Sequence, residues 1–248
     1  MGDSISDPWL WFLARGAGFI ALWLLTVSVV LGIGEAGRWR SRVIPRFVGA
    51  ELHRNISLLA IVLVVVHVLT VELHVGEHVA WRDAVIPFES RFRPPWVGLG
   101  TIAFDVTIAL AVTSGLRRFI GARAWRAFHW TAYGAWVMAV AHSLGTGTDT
   151  QARWSVYSTA ACAAAVLLAL VLRIANGRSR SFHVRMGAIV ITVVVAILLV
   201  RWATAGPLAP RWAQPAGTPT PVRTSMTLRA SRDWEGTTGS SSPHTARS

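Results

Sequence analysis

The sequence has little charge, a single cysteine and no lysine. Only 15% of its 248 residues are charged, against about 25% in a typical soluble domain. The one cysteine, Cys162, excludes an internal disulfide and says nothing about the redox compartment. All 24 basic residues are arginines, and the net charge is +12. Such a charge alone would suggest a nucleic-acid partner, so the distribution of the arginines matters.

Apolar residues are abundant and occur in long blocks. They make up 53% of the chain, and the mean hydropathy is +0.47. A bilayer is crossed by about 20 apolar helical residues, which predicts an all-α integral membrane bundle of six transmembrane helices. The predicted spans are residues 9–33, 48–73, 96–116, 124–144, 154–174 and 184–203. The first block is too long for a signal peptide, and Asp3 and Asp7 precede it instead of basic residues.

The arginines cluster in alternate loops. The loops after the first, third and fifth predicted helices hold twelve arginines, and the other two loops hold four. Arginines beside membrane spans mark the cytoplasmic side. This pattern predicts both termini outside the cytoplasm and explains the net charge without nucleic acid.

The chain divides into two predicted domains. Residues 1–205 form the transmembrane domain. Residues 206–248 are rich in Pro, Thr, Ser, Gly and Arg, a composition that cannot bury enough apolar surface to fold. We expect this segment to be a disordered tail.

Four histidines lie in two of the predicted spans, His53 and His67 in the second and His129 and His142 in the fourth. Fourteen helical residues span about 21 Å and thirteen about 20 Å. Both helices run from inside to outside, so one ring from each can meet at an inner level and one at an outer level. Two hemes with bis-histidine ligation fit this spacing and suit electron transfer. Ordinary packing histidines are the alternative.

The spacing of thirteen does not fit an ideal helix. Thirteen residues rotate by about 1300°, which leaves the two rings of the fourth helix about 140° apart. One explanation is that this helix is distorted, for example by a π-bulge near Gly134. Alternatively, the two hemes sit differently around this helix.

The histidine spacings, together with Trp125-Arg126-x-x-His129-x-x-x-Tyr133, resemble the ferric reductase-like transmembrane domain family. Softer matches are Arg15-Gly-x-Gly, Val112-Thr-Ser114 and Gly145-Thr-Gly-Thr-Asp149. The resemblance implies two b-type hemes, His53 with His129 on the inside and His67 with His142 on the outside. It also implies electron flow from the cytoplasm to the exterior.

Ferric reductases and NADPH oxidases of this family carry a cytoplasmic flavin and nicotinamide domain. No glycine-rich dinucleotide fingerprint follows a strand in this sequence. The chain is therefore similar to a stand-alone heme subunit, such as the membrane partner of the bacterial periplasmic methionine-sulfoxide reductase system. We expect it to need a separate donor, either a partner carrying FMN or FAD or a quinol. The acceptor would be ferric iron or a redox partner protein. The arginine-only, alanine-rich composition favours a bacterial plasma membrane.

Three arginines are candidates for binding heme propionates. Arg54 and Arg126 lie next to the inner histidines, and Arg15 lies inside the first predicted span. Interfacial anchoring is the alternative for all three. Arg15 and Asp105 lie at similar depths, so an ion pair between them is a further prediction. Trp136 lies midway between the histidines of the fourth helix, where it would either separate the hemes or pack against other helices.

His74 and His78, four residues apart beyond the second span, are a candidate metal site, with solvated loop histidines as the alternative. Three other functions remain open. One is a quinol-linked cytochrome of the b561 type, which also uses paired histidines. Another is a transporter without heme, in which the histidines relay protons. The third is a structural subunit without heme.

Overall fold

The computed structural model describes residues 8–36, 46–74, 81–90, 92–146, 152–176 and 182–209. Within these ranges every regular element is a helix and no strand is present, which confirms the all-α class for this part of the chain. The α-helices are α1 (Pro8–Ala36), α2 (Arg46–His74), α3 (Pro94–Gly115), α4 (Arg117–Ile120), α5 (Ala122–His129), α6 (Thr131–Thr146), α7 (Arg153–Ala175) and α8 (Phe182–Ala205). A short 3-10 helix, Trp81–Ala84, precedes α3.

Five of these helices are long and apolar enough to cross a membrane. The candidate spans are Trp9–Ala36, Phe47–Leu73, Pro94–Gly115, Arg153–Ala175 and Arg185–Ala205. Many large apolar side chains point outward from the bundle, for example Phe12 and Val200. Such a surface is stable when lipid is the solvent, because each helix satisfies its own backbone hydrogen bonds. The protein is therefore a multi-pass membrane protein.

The fourth predicted span is interrupted at Trp130. Helix α5 ends at His129, and α6 begins at Thr131. The N–H of Tyr133 donates to the carbonyl of Trp130 (3.2 Å), a 3-10 step that winds the chain more tightly than an α-helix does. The fourth span is therefore distorted, but at Trp130 and by a 3-10 step, and the described residues contain no π-helix near Gly134. The step adds rotation in the direction that the spacing of thirteen requires, but only about 20° of the roughly 140°.

Helix α5 also begins at a sharp turn. Gly121 separates α4 from α5 with φ +78° and ψ 153°, a conformation that residues with a side chain rarely adopt. Helix α5 is only eight residues long, and its arginines are exposed. This short polar helix therefore carries His129 between two breaks in the backbone.

The most extensive packing joins α1 to α2 and α3 to α6, and α1 also contacts α6 and α7. Close approach is possible because small residues are buried, as in many membrane bundles. These residues are Ala14, Ala17, Ala21, Ala60, Ala103 and Ala135. Helix α8 packs mainly on α7, at the edge of the bundle. The candidate site lies among α1, α2, α3 and the α5–α6 pair.

All described residues belong to one compact unit, Met1–Pro210. Of the predicted tail, only residues 206–209 are described. They form a turn after α8, in which Pro207 is buried. The rest of the tail and several of the loop arginines lie outside the described residues, so the predictions about them remain predictions.

Candidate functional site: two pairs of facing histidines

The structure brings the four predicted histidines together as two pairs. The ring centroids of His53 and His129 lie 6.3 Å apart, with the ring planes at 79°. Those of His67 and His142 lie 6.4 Å apart, at 80°. The two rings of α2 are separated by fourteen helical residues, about 21 Å along the axis. The two pairs therefore occupy two levels. We name them after the predicted topology: the inner level (His53 and His129) and the outer level (His67 and His142).

The separation within each pair is suitable for one metal centre between the rings. A bond from an imidazole nitrogen to a metal is about 2 Å long, so two opposed imidazoles on one metal have centroids about 6 Å apart. Among the described residues, no three His, Cys, Asp or Glu side chains form a group that could hold a bare metal ion. Each level thus offers two ligands, the number that a heme in a six-coordinate site takes from the protein.

Three of the four rings are hydrogen-bonded through Nδ1 to a backbone carbonyl of the facing helix. The pairs are His67 with Ala14 (2.7 Å), His53 with Ser28 (2.9 Å) and His142 with Trp96 (2.9 Å). A carbonyl accepts only, so Nδ1 carries the proton and Nε2 keeps its lone pair. Histidines that bind metals usually donate their other ring N–H in this way, which fixes the orientation of the ring and strengthens it as a ligand.

A glycine follows each of these carbonyls by four residues. A Cβ at Gly18 would lie 2.9 Å from the ring of His67, and one at Gly32 would lie 3.4 Å from that of His53. A Cβ at Gly100 would clash with His142. Helical Cβ atoms point toward the N-terminus, so a side chain at i+4 would cover the carbonyl of residue i. We call this arrangement, a carbonyl at i and a glycine at i+4, a glycine seat.

The fourth ring is held differently. Among the described residues, the buried Nδ1 atom of His129 has no hydrogen-bond partner. The ring stacks instead on Trp125, with centroids 4.9 Å apart and planes at 26°. The indole N–H of Trp125 makes a long hydrogen bond to Ser114 on α3 (3.4 Å). The sequence placed Trp125 in one motif with His129 and Ser114 in another, but neither residue was predicted to hold the ring of His129.

The three candidate arginines have different surroundings. Arg54 forms an ion pair with Glu51 (3.2 Å), and both side chains are exposed. Arg126 is exposed on α5. The guanidinium carbon of Arg15 lies 4.2 Å from the centre of the Trp11 ring. Whether these residues bind heme propionates remains a prediction.

The predicted ion pair between Arg15 and Asp105 is wrong. Asp105 forms no salt bridge with another residue in the described part of the chain. Similar depth in the membrane was the basis of the prediction. Depth does not determine which face of a helix a side chain occupies, because adjacent helical positions differ by about 100°.

Trp136 lies in the packed interior of the bundle. Its indole N–H donates to Thr26 of α1 (3.0 Å), and its ring packs against the cluster of Ile33, Val166 and Ala169. These contacts favour the packing alternative for Trp136. Cys162 is likewise a core residue, since only 1% of it is exposed.

The N-terminal end of α3 and the C-terminal end of α6 are joined by contacts that the sequence did not indicate. Arg93, buried and with φ 43°, donates from its guanidinium to the carbonyl of Gly145. Burial lowers the pKa of Arg93 from its ordinary value. A Cβ at Gly145 would clash with the Trp96 ring. Because Gly145 has no side chain, α6 can approach Trp96, whose backbone carbonyl accepts the hydrogen bond from His142.

Two predicted features fall outside the described residues. His74 ends α2, but its side chain and all of His78 are not described. The same is true of the segment from Gly147 to Asp149. The candidate metal site at His74 and His78 remains a prediction.

A comparison with protein families agrees with the geometry. The model of a ferric reductase like transmembrane component matches residues 17–141, half of the chain, from α1 through most of α6. The match includes His53, His67 and His129 and ends one residue before His142. No curated protein and no solved structure matches the chain significantly. The protein therefore belongs to the family of ferric reductase-like transmembrane components, a family of transmembrane electron transfer.

Proposed function

We propose that the protein carries electrons across the bacterial plasma membrane through two b-type hemes, from a donor on the cytoplasmic side to an acceptor outside. The observation that carries the proposal is the pair of ring separations, 6.3 and 6.4 Å, at two levels of one bundle. Heme, when bound, would supply one-electron redox chemistry, and ligation by two histidines suits electron transfer. The side chains and the backbone of the protein would hold and orient the hemes.

The histidines are the proposed axial ligands, His53 and His129 at the inner level and His67 and His142 at the outer level. Three of them are oriented by hydrogen bonds to Ala14, Ser28 and Trp96 carbonyls. These bonds hold Nδ1 protonated and direct the free lone pair of Nε2 away from the facing helix. The glycine seats let the rings approach closely enough to make them.

Arg54 and Arg126 are proposed to bind the propionates of the inner heme, and Arg15 one of the outer heme. An ion pair between exposed side chains, like that of Arg54 with Glu51, contributes little to stability. Little free energy therefore opposes its exchange for a propionate. Arg126 lies one turn before His129 on α5 and is exposed, so its guanidinium would be free to reach a propionate.

The proposed topology has six spans, with α5 and α6 together forming the fourth. The 16 residues of α6 cover about 24 Å, most of a hydrocarbon core of about 30 Å. The arginines of α4 and α5 then lie at the cytoplasmic surface, and both termini lie outside. Residues 1–205 are the heme-binding domain, and residues 206–248 are a disordered tail.

The donor is proposed to be a separate flavoprotein with FMN or FAD, and the acceptor ferric iron or a redox partner protein. A b561-type cytochrome would instead take electrons from quinol, and inhibitors of quinone sites would block its reduction. The proton-relay alternative is disfavoured by the three hydrogen bonds from Nδ1 to carbonyls. A relay needs partners that both accept and donate protons, and a backbone carbonyl only accepts.

Replacement of single histidines tests the proposal. Loss of one ligand should remove the heme of that level only, so the pyridine hemochrome assay should fall from about two hemes per chain to about one. The outer-level variants are His67→Ala and His142→Ala, and the inner-level variants are His53→Ala and His129→Ala. His183→Ala, on the exposed face of α8, is the control and should leave both hemes. Loss of both hemes, or of neither, in stably folded single variants would contradict the pairing.

A further inference from the structure

The glycine seats repeat along the helices with a fixed step. On α1, the two carbonyls (Ala14 and Ser28) and the two glycines (Gly18 and Gly32) are each fourteen residues apart. His53 and His67 on α2 have the same separation. A step of fourteen is within about 40° of four full helical turns, so both seats of α1 face α2. The repeat follows from helix geometry.

The same step on α3 leads to a different residue. From Trp96 and Gly100, which seat His142, fourteen residues lead to Leu110 and Ser114. A serine therefore stands where a fourth seat would have its glycine. The hydroxyl of Ser114 is the acceptor for the Trp125 indole. At the place where a fourth glycine seat would have its glycine, α3 thus has a serine that holds Trp125.

His129 depends on that tryptophan because the backbone around it is interrupted. Helix α5 lies between the turn at Gly121 and the break at Trp130, so no continuous helix fixes its rotation. Trp125 and His129 are four residues apart on α5, which places them on the same face. Trp125 stacks on His129 and donates a hydrogen bond to Ser114 of α3. It therefore joins this short helix to the bundle.

We propose, building on the function above, that Trp125 anchored on Ser114 is the positioning residue for His129 and makes the two levels electronically unequal. At the outer level both ligands donate Nδ1–H to carbonyls, which increases their strength as ligands. At the inner level, among the described residues, His53 makes such a hydrogen bond and His129 does not. His129 therefore donates less electron density to a bound iron than the other three histidines do. Hydrogen bonding of the ligands is one of the protein's controls on the reduction potential of a heme. A weaker donor stabilises ferric iron less and raises the reduction potential of the inner heme.

The chain offers a matched control for this role. Trp23 of α1 donates its indole N–H to Ser158 of α7 (2.7 Å). Like Trp125, it joins two helices through a serine hydroxyl, but its ring stacks on no histidine among the described residues. Trp23→Leu therefore reports the general cost of losing such a link between helices.

The test compares Trp125→Leu, Trp125→Phe and Trp23→Leu in the purified full-length protein, by heme content and by potentiometric titration followed by absorbance. In Trp125→Leu, we expect water to reach Nδ1 of His129 and to accept a hydrogen bond from its N–H, which strengthens the ligand. We expect one of the two reduction potentials to fall, or one heme to be lost, while the other heme is unchanged. Trp125→Phe keeps the stacking but loses the hydrogen bond to Ser114, so it should restore only part of the heme content. Trp23→Leu should change neither potential.

Two results would overturn the inference while the proposed function stands. One is a Trp125→Leu variant with two hemes at wild-type potentials. The other is an equal change in Trp23→Leu, which would reduce Trp125 to a general packing residue. A wild-type protein that folds without heme is a different failure, because it removes the proposed function and with it the basis of the inference.

Discussion

The outer and inner levels have nearly the same ring geometry but different supports. Ring separations of 6.4 and 6.3 Å and angles of 80° and 79° are almost equal. At the outer level both rings are seated on a carbonyl and a glycine. At the inner level one ring is seated, and His129 is stacked on Trp125. The spacing of ligands can therefore repeat while the groups that orient them do not, and the difference arises where the fourth span breaks at Trp130.

The largest effect is expected from Gly100→Ala. The added Cβ would clash with the ring of His142, which must rotate away from the Trp96 carbonyl. Loss of such a supporting contact typically weakens metal binding about 10–100-fold, so we expect most of the outer heme to be lost. Heme content per chain, measured as pyridine hemochrome, checks this. Gly134→Ala in α6, with no atom within 4 Å of its Cβ, is the control.

A smaller and graded effect is expected at the two seats of α1. A Cβ at Gly18 would lie 2.9 Å from His67, whereas one at Gly32 would lie 3.4 Å from His53. Gly18→Ala should therefore weaken the outer heme, and Gly32→Ala should be tolerated after a small shift. Alanine also favours the helix by about 1 kcal/mol over glycine. Heme retention during dilution or warming measures the difference.

The reverse order, with Gly32→Ala more damaging than Gly18→Ala, would show that the outer level is not the more tightly seated one. Gly16→Ala provides the baseline for α1, because nothing lies within 4 Å of its Cβ. Gly16 and Gly18 belong to the same short motif, so this pair also tests which of the two glycines the site requires.

The smallest effect is expected from the charge of Arg54, which lies next to His53 of the inner level. Arg54→Gln removes a positive charge near the inner level, which should lower the inner reduction potential slightly and leave the outer one unchanged. Glu51→Gln breaks the same exposed ion pair without removing the arginine, so it should cost less than about 1 kcal/mol of stability and leave the inner potential at or slightly above its wild-type value. Equal falls in potential from the two variants would argue against propionate binding by Arg54. Potentiometric titration of both variants decides between these outcomes.

Five of the six predicted spans correspond to single long helices, because long apolar blocks are visible in the sequence. The spacings of fourteen and thirteen likewise predicted histidine rings at two levels, where the structure places them. It also indicated a distortion in the fourth span, since thirteen residues do not return His142 to the face of His129. The position of the break at Trp130 was not predictable, because it depends on one 3-10 step in the backbone.

The supports of the rings were not predictable from the same pattern. Every residue has a carbonyl, so nothing in the sequence distinguishes those of Ala14, Ser28 and Trp96 as acceptors. Interior helix glycines were the available signal, since they are costly unless a close contact requires them. The pairing of Arg15 with Asp105 failed for a related reason, because depth was known from the sequence and rotation was not.

The central claim is that this bundle holds two hemes, one at each level. A reduced-minus-oxidised spectrum of the purified full-length protein, expressed with ample heme and quantified as pyridine hemochrome, tests it most directly. The account predicts about two b-type hemes per chain, with low-spin spectra typical of bis-histidine ligation. A folded protein that purifies without heme would contradict it and leave the facing histidines to packing or proton chemistry.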